Sequence, residues 1–381
     1  MAAGDVNSDQ ATPLLGNIRY PTALPHYDFL DGVRAILALY VMAHHAWYTV
    51  FDYNGKSVSR YFSVLAHGHY AICFFMILSG YCLTLPTLRN GFSIVKGVRT
   101  FLKRRAWRIL PPYYFALVLS LMLIGISIHK KTGTLWDTSI PVTPQGAVTH
   151  FLLIQNLVPG DILKINYVFW SISIEWQVYF FFPLLLLGWR LIGPISTTLA
   201  AILGSLVLEK GIDHYLPITP NANFLGLFAL GMLAAQGSIS RSAIPDNYKK
   251  VPWTLIATFT CALFVALDRL HHQLTADVMF GCFASALLFI ASRNPSGWLH
   301  GLFSSKPLVF VGSFSYSIYL IHAPLLQVLW QYPFSTLQSH VNVMCIVLIV
   351  VGGPTIVLMA YVFHLCCERP FLRMRGGNVR S

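Results

Sequence analysis

The sequence predicts an all-α polytopic membrane protein, a bundle of about ten transmembrane helices with both termini in the cytoplasm. Three observations carry this. Only 10% of the residues are charged and 55% are hydrophobic, whereas soluble domains carry about a quarter charged residues. Apolar runs near the length needed to cross a bilayer recur along the whole chain. The net charge of +12 is spread between those runs rather than gathered on a basic arm or face, so no nucleic-acid partner is expected.

Residues 1–26 are polar, contain Pro13, Pro21 and Pro25, and show no signal-peptide pattern; they read as a flexible cytoplasmic tail. The spans that follow fall near 30–50, 66–88, 109–128, 167–189, 194–209, 222–237, 252–268, 275–292, 309–331 and 341–365. The segment 147–158, "AVTHFLLIQNLV", is too short to cross and reads as interfacial or re-entrant. The helical domain therefore occupies 27–367, followed by a short basic cytoplasmic tail over 368–381. Placing the N-terminus in the cytoplasm puts 18 of the 26 Lys and Arg residues on that side and seven on the other, with Arg34 inside the first span. Residues 89–108 alone carry seven basic residues and no acid, which makes them the strongest anion-binding candidate. The seven cysteines form no C-x-x-C pair, so neither a zinc site nor a disulfide framework is suggested and no metal is expected.

The first span, "DFLDGVRAILALYVMAHHAWYTV", begins with Asp28, Asp31 and Arg34 and ends with His44 and His45. Eleven residues separate Arg34 from His45, about three helical turns, so both side chains share one face about 16 Å apart. Asp31, three residues before Arg34, reads as its ion-pair partner. Glu175 is an acid well inside the fourth span, and His322 lies in the outer part of the ninth. Ionisable groups at membrane depth are costly and face a bundle interior or a wet cavity. Three of them, His45, Glu175 and His322, fall in one outer layer, which predicts a shared polar site. Each also has a plainer explanation: Arg34 snorkelling to headgroups, His45 and His322 satisfied by helix packing, Glu175 bracing Trp170 or Ser171.

These residues lie in motifs that resemble the acyltransferase 3 family of membrane-bound acyltransferases. The shared features are the R-x10-H pair of the first span, "FFMILSGYCL" at 74–83, "RRAWRILPPYY" at 105–114, "WSISIEWQVYFFFPL" at 170–184, "SYSIYLIHAPL" at 315–325 and "ERPF" at 368–371. They run in order over nearly the whole chain. The R-x10-H spacing selects His45; His44, pointing about 100° away, reads as a packing residue.

The resemblance implies transfer of an acyl group, by family frequency acetyl, from cytoplasmic acyl-CoA to a hydroxyl of a carbohydrate or small metabolite. Acyl-CoA would be a co-substrate, with no permanently bound cofactor. His45 would act as general base, with Glu175 orienting it or accepting from a substrate hydroxyl. Arg34, Arg105 and Arg108 would hold the CoA phosphates through forked charge-assisted bonds. The basic loop also serves positive-inside topology and anionic-lipid attraction. His322 and Tyr316, from the "SYSIYLIH" motif, join as substrate-side candidates, and Ser79 and Gly80 permit close helix approach beside an acyl tunnel. No acyl-enzyme nucleophile is evident, which favours direct transfer. The rival reading is a transporter or flippase for an acylated sugar or other solute, although the chain shows no inverted repeat. The membrane would be the plasma membrane in a bacterium or an endomembrane in a eukaryote.

Overall fold

A computed structural model describes residues 28–51, 60–239 and 252–377. The expected N-terminal tail lies outside them. The described residues are all-helical. Helix α1 spans Asp28–Phe51, α2 Gly68–Thr84, α3 Gly97–Ile126, α4 Pro144–Phe151, α5 Trp170–Ile192, α6 Pro194–Tyr215 and α7 Asn223–Ile239. They are followed by α8 Trp253–Arg269, α9 Gln273–Arg293, α10 Trp298–Phe303, α11 Lys306–Gly312, α12 Ser315–Gln331 and α13 Val341–Arg373. Six stretches, one of them α2 together with the helical turns before it (Phe62–Thr84), are long and apolar enough to cross a membrane, or seven if α11 and α12 form one bent span. Apolar side chains also stand out over α5, α6 and α13 (Leu184, Leu203, Leu358), as a lipid-facing surface requires. Helix α1 carries Asp28, Asp31, Arg34 and two histidines, while α7 and α8 have 17 residues each, so none of the three meets that criterion.

Helix α6 runs on to Tyr215 and α13 past residue 365 into the expected basic tail, and two other differences from the sequence expectation bear on the site. Helix α3 starts at Gly97 rather than near residue 109, because nothing between 97 and 108 breaks a helix. Arg105 and Arg108 are therefore fixed on a helix and not on a loop. The ninth apolar run is bent by 70° between α11 and α12, beside Gly312, where a Cβ would lie 1.9 Å from Asp31 O. The short α4 is capped by Thr143 Oγ1, which accepts from Gly146 N at 2.9 Å, with Pro144 in its first turn.

Burial of water-averse surface does not draw helices together inside lipid; close packing does. The α2–α7 contact shows how. A Cβ on Gly80 would stand 2.1 Å from Phe228 O, and one on Gly231 would stand 1.9 Å from Ile77 O. Each helix thus lays backbone against the glycine of the other, with Ile77, Tyr81, Phe224 and Phe228 fully buried around the crossing.

Candidate functional site

Helices α1, α2, α3, α5 and α12 enclose a cavity of about 110 Å³. Six of the residues anticipated from the sequence line it: Arg34, Ser79, Arg105, Arg108, Glu175 and Tyr316. Asp31 stands behind them and holds Arg34 through the i,i+3 ion pair. The other end of the guanidinium donates from Nη2 to Cys82 Sγ at 3.1 Å, which fixes Arg34 along the wall formed by α2. Arg105 packs its guanidinium over the Phe101 ring, 6.0 Å from the centroid. Three guanidinium groups on one cavity and a single carboxylate, Glu175, give the lining a net positive charge, suited to an anionic ligand.

Glu175 is held by two hydroxyls. Tyr179 OH donates to Glu175 Oε1, and Ser79 Oγ donates to the same oxygen at 3.2 Å. Ser79 therefore does more than permit close packing: it bonds across from α2 to α5. Tyr316 OH donates to Ile109 O at 3.1 Å, tying α12 to α3. At the far end of the cavity, Tyr319 OH lies 2.8 Å from Val168 O and 2.6 Å from Ser171 Oγ. A carbonyl can only accept, so Tyr319 donates to Val168 and receives the Ser171 proton.

His45 and His322 do not line the cavity; they lie beyond the ring of Tyr319, whose centroid is 5.7 Å from that of His322. The two imidazoles stack with centroids 5.1 Å apart, and His45 Nδ1 is 2.9 Å from His322 Nε2. The hydrogen-bond network assigns their tautomers. His322 Nδ1 faces Tyr319 O at 2.8 Å and Ile318 O at 3.1 Å, both acceptors, so it bears a proton. The neutral ring then offers Nε2 as a lone pair, His45 donates from Nδ1, and His45 Nε2 is left as the basic nitrogen. His322, and not Glu175, is thus the group that orients His45. His44 has Nδ1 2.6 Å from Leu65 O and its ring against Gly68, with its centroid 4.9 Å from that of His45.

Cys82, Ser171, Tyr179 and Tyr319 are site residues that sequence reasoning did not single out. All four sat inside quoted motifs, and for Ser171, Tyr179 and Tyr319 the only signal was a hydroxyl on the helix face of a residue already selected.

Comparison with known proteins identifies relatives of this chain. A family model described as an acyltransferase domain matches residues 27–364. The Bacillus subtilis protein YrhL, provisionally named a peptidoglycan O-acetyltransferase, is 26% identical over 324 residues, covering 78% of this chain and 48% of its own. A Staphylococcus aureus protein, provisionally named an O-acetyltransferase, is 26% identical over 337 residues, covering 80% of this chain and 51% of its own. The peptidoglycan O-acetyltransferase OatA of Listeria monocytogenes is 22% identical over 348 residues, covering 82% and 50%. The chain thus spans about half the length of the curated relatives it matches. No solved structure matches it significantly. With its motifs in register, its cavity built from them and a family model over most of its length, this chain belongs to the acyltransferase 3 family.

Proposed function

We propose that the protein is a membrane-embedded O-acyltransferase that moves an acyl group, acetyl by family frequency, from acyl-CoA to a hydroxyl of a glycan or small metabolite. The observation that carries this reading is the pairing of an arginine-lined cavity with an oriented imidazole just beyond its end. Family membership and relatives named for O-acetyl transfer support it. Ten helices cross the membrane in this reading, with both termini cytoplasmic and the Arg34 end of the cavity facing the cytoplasm.

The chemistry follows from the donors and acceptors in place. Arg34, Arg105 and Arg108 bind the phosphates of the CoA portion through charge-assisted bonds, and the thioester reaches past Ser79 toward Tyr319. His45 Nε2 removes the proton of the acceptor hydroxyl as its oxygen attacks the thioester carbonyl. The tetrahedral adduct collapses by breaking the carbon–sulfur bond, and the imidazolium returns the proton to the departing thiolate. The products are an ester and free CoA, with His45 restored. His322 accepts from Nδ1 throughout, stabilising the imidazolium and holding the ring. Phe75 and Tyr319 line the cavity, and on this reading their rings part when the thioester meets His45.

The test is release of CoA thiol by the purified protein with acetyl-CoA and a panel of glycan and small hydroxyl acceptors, alongside mass detection of the ester. Acceptor-dependent release that His45→Ala abolishes is expected. Full turnover by His45→Ala would remove the base from the mechanism, and solute movement without thiol release would make the protein a transporter.

A further inference from the structure

At the end of α2 remote from Arg34, a second constellation joins α2, α7 and α9. His69 and Cys73, one turn apart on α2, face Asp277 in the second turn of α9, and their ligand atoms all lie within 4.8 Å of one another. His69 Nε2 is 2.9 Å from Asp277 Oδ1 and 3.4 Å from Cys73 Sγ. A nucleophilic relay would place thiol and carboxylate on opposite nitrogens of the ring. Here both converge on the same nitrogen, so the three groups aim at one point between them. Cys73 is fully buried and the Asp277 side chain is 1% exposed, while the His69 side chain is 34% exposed and leaves a way in.

The surroundings orient the carboxylate in the manner of an outer shell around a metal. Asn223 Nδ2 donates to Asp277 Oδ2 at 2.8 Å and Gln273 Nε2 to Oδ1 at 2.9 Å. Both partners are neutral, and among the described residues no lysine or arginine pairs with Asp277. A buried carboxylate with no fixed cation calls for a positive charge.

We propose that His69, Cys73 and Asp277 bind a zinc-class divalent cation, which fastens the outer end of α2 to α9. One nitrogen, one sulfur and one oxygen donor suit a borderline ion of this kind. Three protein ligands leave a fourth position, open on the His69 side, for water. Binding displaces the Cys73 thiol proton and any proton shared between His69 and Asp277. No C-x-x-C spacing announces the site, because its ligands come from helices about two hundred residues apart in sequence. Since α2 also carries Ser79 and Cys82 into the arginine-lined cavity, the ion steadies that wall from a distance.

The experiment uses the full chain in detergent, purified through a tag free of histidine, dialysed against Zn2+ and passed over a chelating resin. Elemental analysis should find about one zinc per chain, and Cys73→Ala or Asp277→Asn should remove it. Co2+ loading should give a thiolate-to-cobalt absorption band that is absent from Cys73→Ala. Asn223→Ala should weaken Zn2+ binding by about 10- to 100-fold. Wild-type protein that emerges without zinc and shows no cobalt–thiolate band overturns the proposal, as does a folded Cys73→Ala variant that keeps its metal. Where a variant does not fold, the wild-type cobalt spectrum decides. None of these readouts depends on transferase activity, so the metal site and the acyl-transfer reading can fail separately.

Discussion

Replacing His322 with leucine separates a positioning role from a merely structural one. The substitution removes the acceptor 2.9 Å from His45 Nδ1. Losing a buried partner of this kind costs about 1–3 kcal/mol. If that cost falls on the transition state, where His45 gains a proton and Nδ1–H becomes a stronger donor, kcat drops by about 5- to 150-fold. Two further results follow from the geometry. His322 does not line the arginine cavity, so KM for acetyl-CoA should stay within about two-fold. His322→Gln, whose carbonyl oxygen can accept from Nδ1, should recover part of the loss while Leu does not. The assay is steady-state CoA release at saturating acceptor, with thermal unfolding in detergent to confirm that both variants fold. A folded His322→Leu enzyme with unchanged kcat would refute the tautomer assignment and the role built on it. A loss confined to KM for the donor would place His322 in donor binding instead.

Arg105→Ala and Arg108→Ala should each raise KM for acetyl-CoA by about 10- to 150-fold, the worth of a charge-assisted bond of about 1.5–3 kcal/mol, with kcat changed less; equal losses for a dephosphorylated donor analogue would speak against phosphate binding. Gly231→Val forces a side chain into the space where a Cβ would already lie 1.9 Å from Ile77 O; overpacking of this kind costs about 1–3 kcal/mol and should lower the melting temperature, whereas Gly204→Ala, whose Cβ would meet nothing, should not. His150 in α4 is fully buried, and burial lowers its pKa to about 4 from 6.5. The folded state therefore favours the neutral ring: stability is fully present above about pH 6.5 and falls as pH drops toward about 4, by about 3 kcal/mol in all. His150→Asn should flatten that part of the stability–pH curve relative to wild type, and parallel curves would show that His150 does not contribute.

The positions of the helices were legible because apolar runs of bilayer length leave little else for the chain to do. The Asp31–Arg34 pair was legible for a local reason, three residues on one helix. Most of what escaped depends on a second helix. The early start of α3 was hidden because a basic segment has low hydropathy and nevertheless contains no breaker between Gly97 and Arg108. The bend between α11 and α12 had a sign in Gly312, but its cause, contact with Asp31 O, comes from α1. Glu175 and His45 were both selected as polar groups in one layer, yet each took its own partners, Ser79 with Tyr179 and His322 respectively. Depth along a helix can be counted from sequence, whereas azimuth relative to neighbours cannot.

Helix α1 carries both Arg34 and His45, and it is held at both ends. Cβ atoms on Gly32 and Gly312 would collide with Phe303 O and Asp31 O at its start, and His44 bonds Leu65 O near its finish. The separation of the two residues is therefore fixed, and on the proposed mechanism the thioester gains access to His45 by movement of the intervening rings. Of these, Tyr319 has the more specific anchorage, donating to Val168 O and accepting from Ser171 Oγ. Releasing two such bonds costs about 1–3 kcal/mol net, small enough to open at each turnover and large enough to keep the passage shut otherwise. Tyr319→Phe removes both bonds and leaves the ring in place. In acetyl-CoA without acceptor, this variant should release CoA several-fold faster than wild type, because water then reaches the thioester beside His45 more often; about 1 kcal/mol of lost closure corresponds to roughly five-fold. Acceptor-free release equal to that of wild type, in a variant that still transfers acyl groups, would show that another group closes the passage.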